Sequence, residues 1–290
     1  MKISGFTLVR NAIKFDYPIV ESIRSILPVC DEVVVAVGNS DDGTRELITS
    51  IGSEKIRIID TIWDESLREG GAVLAVETNK AFDAISPDAD WAFYIQGDEV
   101  FHESQCQEAI REMEKWKDDP ETEGLLFNYY HFYGSYDYIG DSRRWYRNEV
   151  RIIRNDKRIR SYRDAQGFRI ENRPLKVRKT DLNMYHYGWV RPPEIFKEKL
   201  SYFNTLWHDE KWLEKNKPQI ESFDYSEIDS LQSFKGTHPA VMNDRIAKHN
   251  WIFSFDPTRK KFSCLSRILY QIEKKTGFRV GEYKNFKILR

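Results

Sequence analysis

"DEVVVAVGNSDDGTRELITSI", residues 31–51, sets the architecture of this chain. From Glu32 to Val37 it is a near-continuous run of β-branched residues, typical of a strand covered on both faces. The run ends at Gly38 and passes through Asn39-Ser40-Asp41-Asp42-Gly43, a turn rich in capping residues, into a helical stretch after Thr44. The same unit recurs on either side. "KISGFTLV" (2–9) is a strand ending in Arg10-Asn11, and a helix follows over 17–27 with Asp16 as its cap and Pro18 in its first turn. "KIRIIDTI" (55–62) is a third strand, followed by a helix over 71–85. "WAFYIQ" (91–96) is a fourth, followed by the helix "ESQCQEAIREMEKWK" (103–117). Four such alternations predict an α/β fold, a Rossmann-like and mostly parallel sheet flanked by helices.

Ligands of such sheets bind beyond the carboxyl ends of the strands. Arg10-Asn11, Asn39 to Asp42 and Asp98-Glu99 all stand at such ends and are expected to face one crevice. After residue 123 the pattern changes to longer strands of mixed polarity, "GLLFNYYHFYGSYDYIG" and "NEVRIIRNDKRIRSY". A helical stretch follows Gly188, and a polar stretch over 215–235 reads as a surface loop. The expected organisation is a nucleotide-binding and catalytic domain over 1–210 and a helical C-terminal extension over 211–290.

Bulk properties narrow the function classes. The net charge is -1 and the isoelectric point about 6.6, so nothing calls for nucleic acid. The basic stretch from Arg143 to Arg163 contains no Lys/Arg-Gly-aromatic motif. Cys30, Cys106 and Cys264 are far apart, which argues against a disulfide framework or zinc site and makes a reducing cytoplasm the expectation. The N-terminus, interrupted by Arg10 and Asn11, does not read as a signal peptide, and no apolar run is long enough to span a bilayer. The tail from Thr258 holds ten Lys and Arg against two Glu. Within it Phe262, Leu265, Ile268, Leu269 and Ile272 share a helical face. That face can pack on the domain, the commoner arrangement, or lie peripherally on the inner face of an anionic membrane.

Candidate chemistry comes from a few positions. Adjacent Asp98 and Glu99 repel unless a cation compensates them, and Mg²⁺ or Mn²⁺ prefers such oxygen ligands. The competing explanation is a solvated Asp98 and a helix-capping Glu99. His186, in "MYHYGWVR", is a usable further ligand, or a packed core histidine. Arg151 lies on the basic side of its strand, where bidentate guanidinium contacts suit a diphosphate. Asn39 and Asp41 either belong to a helix cap or meet a ribose or base.

Together these segments resemble the family 2 glycosyltransferases, which have the GT-A fold. "FTLVRNA" is similar to that family's first strand, "DEVVVAVGNSDDGTREL" to its second strand and Ser-x-Asp-Gly-Thr turn, and "DADWAFYIQGDEVFHE" to the strand with its Asp-x-Asp motif. "HYGWVRPPEIFKEKLSYF" resembles the segment whose His completes the metal site. The resemblance covers about 1–210. It departs at Val37, where the family has a base-contacting acid, and at Gln96, where it has the first acid of Asp-x-Asp. It implies transfer of a sugar from a nucleoside-diphosphate donor to a glycan or lipid-linked acceptor hydroxyl, usually with inversion, as in cell-surface glycan or polysaccharide synthesis. Asp98 and His186 would hold Mn²⁺ or Mg²⁺ with Glu99 in support, and Arg10, Asn11, Asn39, Asp41, Gln96 and Arg151 would meet the donor. Asp164 would be the general base, with Asp137, Asp141 and Glu149 as competitors. A nucleotide-sugar-binding or scaffold protein without catalysis is the alternative that Val37 and Gln96 keep open. A nucleotidyltransferase would normally carry a Gly-rich phosphate loop, and "LVRNAIKF" has none.

Overall fold

The computed structural model describes residues 1–67, 70–208, 210–216 and 222–290. Strands β1 (Ile3–Val9), β2 (Glu32–Val37), β3 (Ile56–Asp60) and β4 (Trp91–Tyr94) pair in parallel in the order β3-β2-β1-β4. Val9 lies opposite Val37, and Val37 opposite Asp60, so these three strands end level. Helices α1 (Ile19–Ile26), α2 (Thr44–Thr49) and α3 (Ala72–Ala84) make the crossovers.

Strand alternation explains why the β2 run is apolar throughout. Val33, Val35 and Val37 pack with Ile19, Ile23 and Ile26 of α1, while Val34 and Ala36 pack with Ala81 and Phe82 of α3. Both faces are core, so neither tolerates a polar residue. The α1 helix differs from expectation at its start. Pro18 precedes it with no side-chain cap, and Asp16 has a left-handed φ of 49° and pairs instead with Arg245.

Beyond β4 come β5 (Glu99–Phe101), α4 (Cys106–Trp116), β6 (Gly124–Tyr133), β7 (Tyr138–Gly140) and β8 (Asn148–Arg154). A hairpin of β9 (Ile159–Tyr162) and β10 (Gly167–Ile170) then leads to the long β11 (Arg173–Trp189). The main sheet continues β4-β8-β6-β11, with β8 antiparallel to both neighbours and β6 parallel to β11. This is an α/β fold, a largely parallel main sheet flanked by helices.

The C-terminal segment corrects the expectation of a purely helical extension. Helices α5 (Pro193–Trp207) and α6 (Glu210–Lys215) are followed by β12 (Leu231–Ser233), which pairs with β7. Part of the expected surface loop, 217–221, lies outside the described residues, and the remainder buries Tyr225, Ile228 and Leu231. After α7 (Asn243–Ala247) and α8 (Cys264–Thr276), β13 (Phe286–Ile288) runs parallel to β11, placing Phe286 beside Leu175. The tail is therefore stitched to the sheet of the first domain. One side of α8 faces that domain, with Glu273 paired to Arg143, Arg147 and Arg279. The other side does not pack as expected: Leu265 and Ile268 are 66% and 59% exposed, and Ile272 is exposed beside them. No helix among the described residues is long and apolar enough to cross a membrane.

Candidate functional site

The adjacent acids after β4 separate completely: Asp98 lies in the turn that follows the strand, and Glu99 opens β5. Glu99 turns inward and is fully buried. Its carboxylate accepts from Arg151 Nε at 2.9 Å and Arg151 Nη2 at 2.8 Å, from Tyr129 Oη at 2.7 Å and from the Gln96 amide at 3.1 Å. Arg151, fully buried as well, lies over the rings of Tyr94 and Tyr129. Two expectations are thereby corrected. Glu99 does not support a metal and Arg151 does not meet a diphosphate. Each is the other's counter-ion, and either one buried alone would be strongly destabilising.

Asp98 turns outward into a cavity of about 360 Å³ at the carboxyl ends of β1 and β4, lined also by Arg10, Gln96, His186 and Lys199. Asp98 Oδ1 lies 3.8 Å from His186 Nε2, and Lys199 Nζ donates to Asp98 Oδ2 and to the Gly188 carbonyl, both at 3.3 Å. Gly188 makes this approach possible. A Cβ there would stand 2.6 Å from His186 Nε2 and 2.9 Å from Asp98 Oδ2.

The histidine pair fixes a tautomer. His131 Nε2 donates to the Tyr146 carbonyl at 2.8 Å, which leaves its Nδ1 as an acceptor. His186 Nδ1, 3.1 Å away, must then be the donor, so His186 Nε2 carries a lone pair facing Asp98. Burial lowers both imidazoles, His131 well below its ordinary range and His186 less so. Burial alone would raise Asp98, but Lys199, His186 and Arg191 outweigh it and hold the carboxyl at about 2. Burial and Arg191 together pull Lys199 down to about 7 against the attraction of Asp98.

A carboxylate oxygen and an imidazole lone pair 3.8 Å apart form a two-donor notch. The donor chemistry fits Mg²⁺ or Mn²⁺, with ligand or water oxygens needed for the other positions. Glu99 does not supply a third position, and among the described residues no three His, Cys, Asp or Glu converge as a metal cluster.

Asp164 sits in the β9–β10 turn between Arg163 and Ala165, whose φ values of 54° and 61° are left-handed. Non-glycine residues rarely hold such angles, and the cost is met by surrounding contacts. Here Gln96 Nε2 donates to the Ala165 carbonyl at 3.2 Å, tying the turn to the end of β4. Burial raises the Asp164 carboxyl, against the pull of neighbouring backbone amides and Arg163. Asp164 lines both the first cavity and a second one of about 880 Å³, whose wall includes Arg144, Arg147, Arg163, Glu149 and Asn285. The competitors stand elsewhere or are engaged. Asp137 bonds Ser135, Asp141 bonds Lys260 and Tyr270, and Glu149 accepts from Asn285.

Of the other expected donor contacts, Arg10 and Gln96 line the first cavity, whereas Asn11, Asn39 and Asp41 do not. Asn11 Oδ1 accepts from the Asp41 amide and Asn39 Oδ1 from the Trp63 amide. These side chains hold the strand-end turns against one another. Asp42, just ahead of α2, accepts from the Thr44 amide and from the Lys14 amide.

Sequence reasoning missed Lys199, Arg191 and Trp63. The first had a signal: Lys199 occupies the buried stripe of α5 with Phe196 and Leu206, where a lysine is out of place. Trp63 packs against Gly38, and Arg10 lies 5.6 Å from its ring.

No family model matches the chain, and no curated protein matches it. Solved structures do. S. aureus TarS aligns over 70% of this chain and 39% of its own at 16% identity and a TM-score of 0.41. A 4-diphosphocytidyl-2C-methyl-D-erythritol synthase from Anaerococcus prevotii covers 53% of this chain and 70% of its own, at 11% identity and a TM-score of 0.35. Glucosyl-3-phosphoglycerate synthase from Mycobacterium tuberculosis, in complex with Mn²⁺, UDP and phosphoglyceric acid, covers 44% and 43%, at 17% identity and a TM-score of 0.32. The chain thus spans less than half the length of TarS.

Proposed function

We propose that this chain transfers a sugar from a nucleoside diphosphate to an acceptor hydroxyl. The observation that carries this reading is the convergence of Asp98, His186, Lys199, Arg10 and Asp164 on one cavity at the strand ends. The cavity is the donor site, and the larger cavity beyond Asp164 receives the acceptor. Asp164, in the wall of both, is placed to take the acceptor's hydroxyl proton. The acceptor oxygen then bonds to the anomeric carbon with inversion. The carbon–oxygen bond to the diphosphate breaks, and its electron pair leaves on the phosphate oxygen. The raised carboxyl of Asp164 suits a base. Two basic groups lining the same cavity, Lys199 and Arg10, stabilise the departing charge. Asp98 and His186 would hold Mn²⁺ or Mg²⁺, which would add Lewis-acid stabilisation of that charge.

The exposed Leu265, Ile268 and Ile272 of α8, with Arg267, Lys274 and Lys275 on the same helix, suit an anionic membrane surface. That location fits a lipid-linked acceptor.

A catalytically silent binding protein is the second reading, favoured by the engagement of the Gln96 amide with Tyr94 and Ala165. Nucleoside diphosphate release from sugar donors separates the two. Asp164→Asn is expected to cut transfer by about a hundredfold or more while leaving the nucleoside diphosphate thermal shift intact. If no nucleoside diphosphate raises the melting temperature, with or without Mn²⁺, the donor assignment is wrong.

A further inference from the structure

The charges around Asp98 do not balance. Arg143, Arg147 and Arg279, around the second cavity, each have a carboxylate partner, Glu273 or Glu282. Here Asp98 has two basic neighbours, Lys199 in direct contact and Arg191 close enough to act on its charge. Arg191 is fully buried, and none of its three guanidinium nitrogens has a hydrogen-bond partner among the described residues. Its guanidinium lies over two rings, Tyr17 at 5.0 Å and Phe196 at 5.8 Å. Lys199 Nζ lies 4.7 Å from the same Tyr17 ring. Two of its three N–H groups are used, on Asp98 and Gly188, and one is in hand in a residue that lines the cavity. A buried guanidinium without hydrogen-bond partners is unfavourable unless an anion completes it.

We propose that Lys199, backed by the buried guanidinium of Arg191, is a built-in anion site that binds the donor's diphosphate without a divalent ion. This rests on the reading of the cavity as a donor site. Lysine binds phosphate as a point charge, and this one is held at the cavity wall by Asp98 and by the Tyr17 ring. Asp98 is then as much the orienting partner of Lys199 as a metal ligand. Loss of activity in an Asp98 variant therefore does not distinguish the two roles, and the test is made at Lys199.

The probe is inorganic pyrophosphate, titrated calorimetrically into the full chain in EDTA. The wild type is expected to bind. Lys199→Met is expected to weaken binding roughly ten- to a hundredfold, the loss of a charged hydrogen bond, and Lys199→Arg to retain most of it. Arg191→Met, with Lys199 intact, is expected to weaken binding and to flatten its dependence on salt, which a packing defect alone would not do. Binding that appears only with Mn²⁺, or a folded Lys199→Met that binds like the wild type, overturns the proposal while leaving the donor reading standing. Should Lys199→Met not fold, the wild type decides: salt-sensitive binding in EDTA supports the site and none overturns it. Absence of binding by pyrophosphate and every nucleoside diphosphate, with and without Mn²⁺, overturns both.

Discussion

Arg151→Met separates a structural arginine from a substrate-binding one. The substitution keeps the aliphatic stem but removes both bonds to Glu99, which is fully buried beside it. Glu99 retains Tyr129 Oη and the Gln96 amide, two neutral donors for a charge that had four bonds. Breaking a buried pair from one side costs about 3–5 kcal/mol. At about 2 °C per kcal/mol for a chain of this size, the melting temperature should fall by about 6–10 °C. Urea unfolding followed by fluorescence measures the free energy, and the double variant Glu99→Gln/Arg151→Met should recover much of the loss because no uncompensated charge remains. Nucleotide binding by folded Arg151→Met should stay close to that of the wild type. A loss below about 1 kcal/mol together with abolished nucleotide binding would refute the assignment and return Arg151 to the donor site, since an exposed pair is worth only that much.

Glu149 should make stability depend on pH. Burial raises its carboxyl to about 8, opposed by Arg151 and Asn285, so the folded state binds this proton more tightly than the unfolded chain. Stability should therefore fall as pH rises from about 4.3, the unfolded value, through 8, by at most about 1.4 kcal/mol per pH unit, and level off above; a pH series of urea melts in which Glu149→Gln keeps the same slope would contradict this. Gly188→Ala should weaken nucleoside diphosphate binding, because the added Cβ collides with His186 and Asp98; an unchanged thermal shift with UDP would count against that geometry. Leu265→Glu/Ile268→Glu should abolish co-sedimentation with phosphatidylglycerol vesicles while leaving the melting temperature unaltered, since both side chains are exposed. If the wild type sediments no better with those vesicles than with phosphatidylcholine, the membrane reading fails.

The sequence by itself determined the parallel core. Its β-branched run at 32–37 and the helical periodicities around it are local patterns, and burial on two faces can be read from them without knowing any partner. It also placed polar residues at the strand ends, of which Arg10, Gln96 and Asp98 line one cavity while Asn11, Asn39, Asp41 and Glu99 do not. Only the tertiary structure decided which neighbour of an acidic pair faces that cavity. Asp98 and Glu99 are equivalent as letters, and their fates diverge because Arg151, 52 residues away, crosses the sheet to claim one of them. The same holds for Asn11 and Asp41, whose side chain and backbone satisfy each other across turns 30 residues apart. Lys199 shows the boundary most clearly: its place in an apolar helical stripe is visible in sequence, but the carboxylate, the ring and the second basic group that give it a use come from the turn before β5, the segment before α1 and the residues after β11. Charge pairing over long sequence separations is set by which elements pack, and no local pattern encodes it.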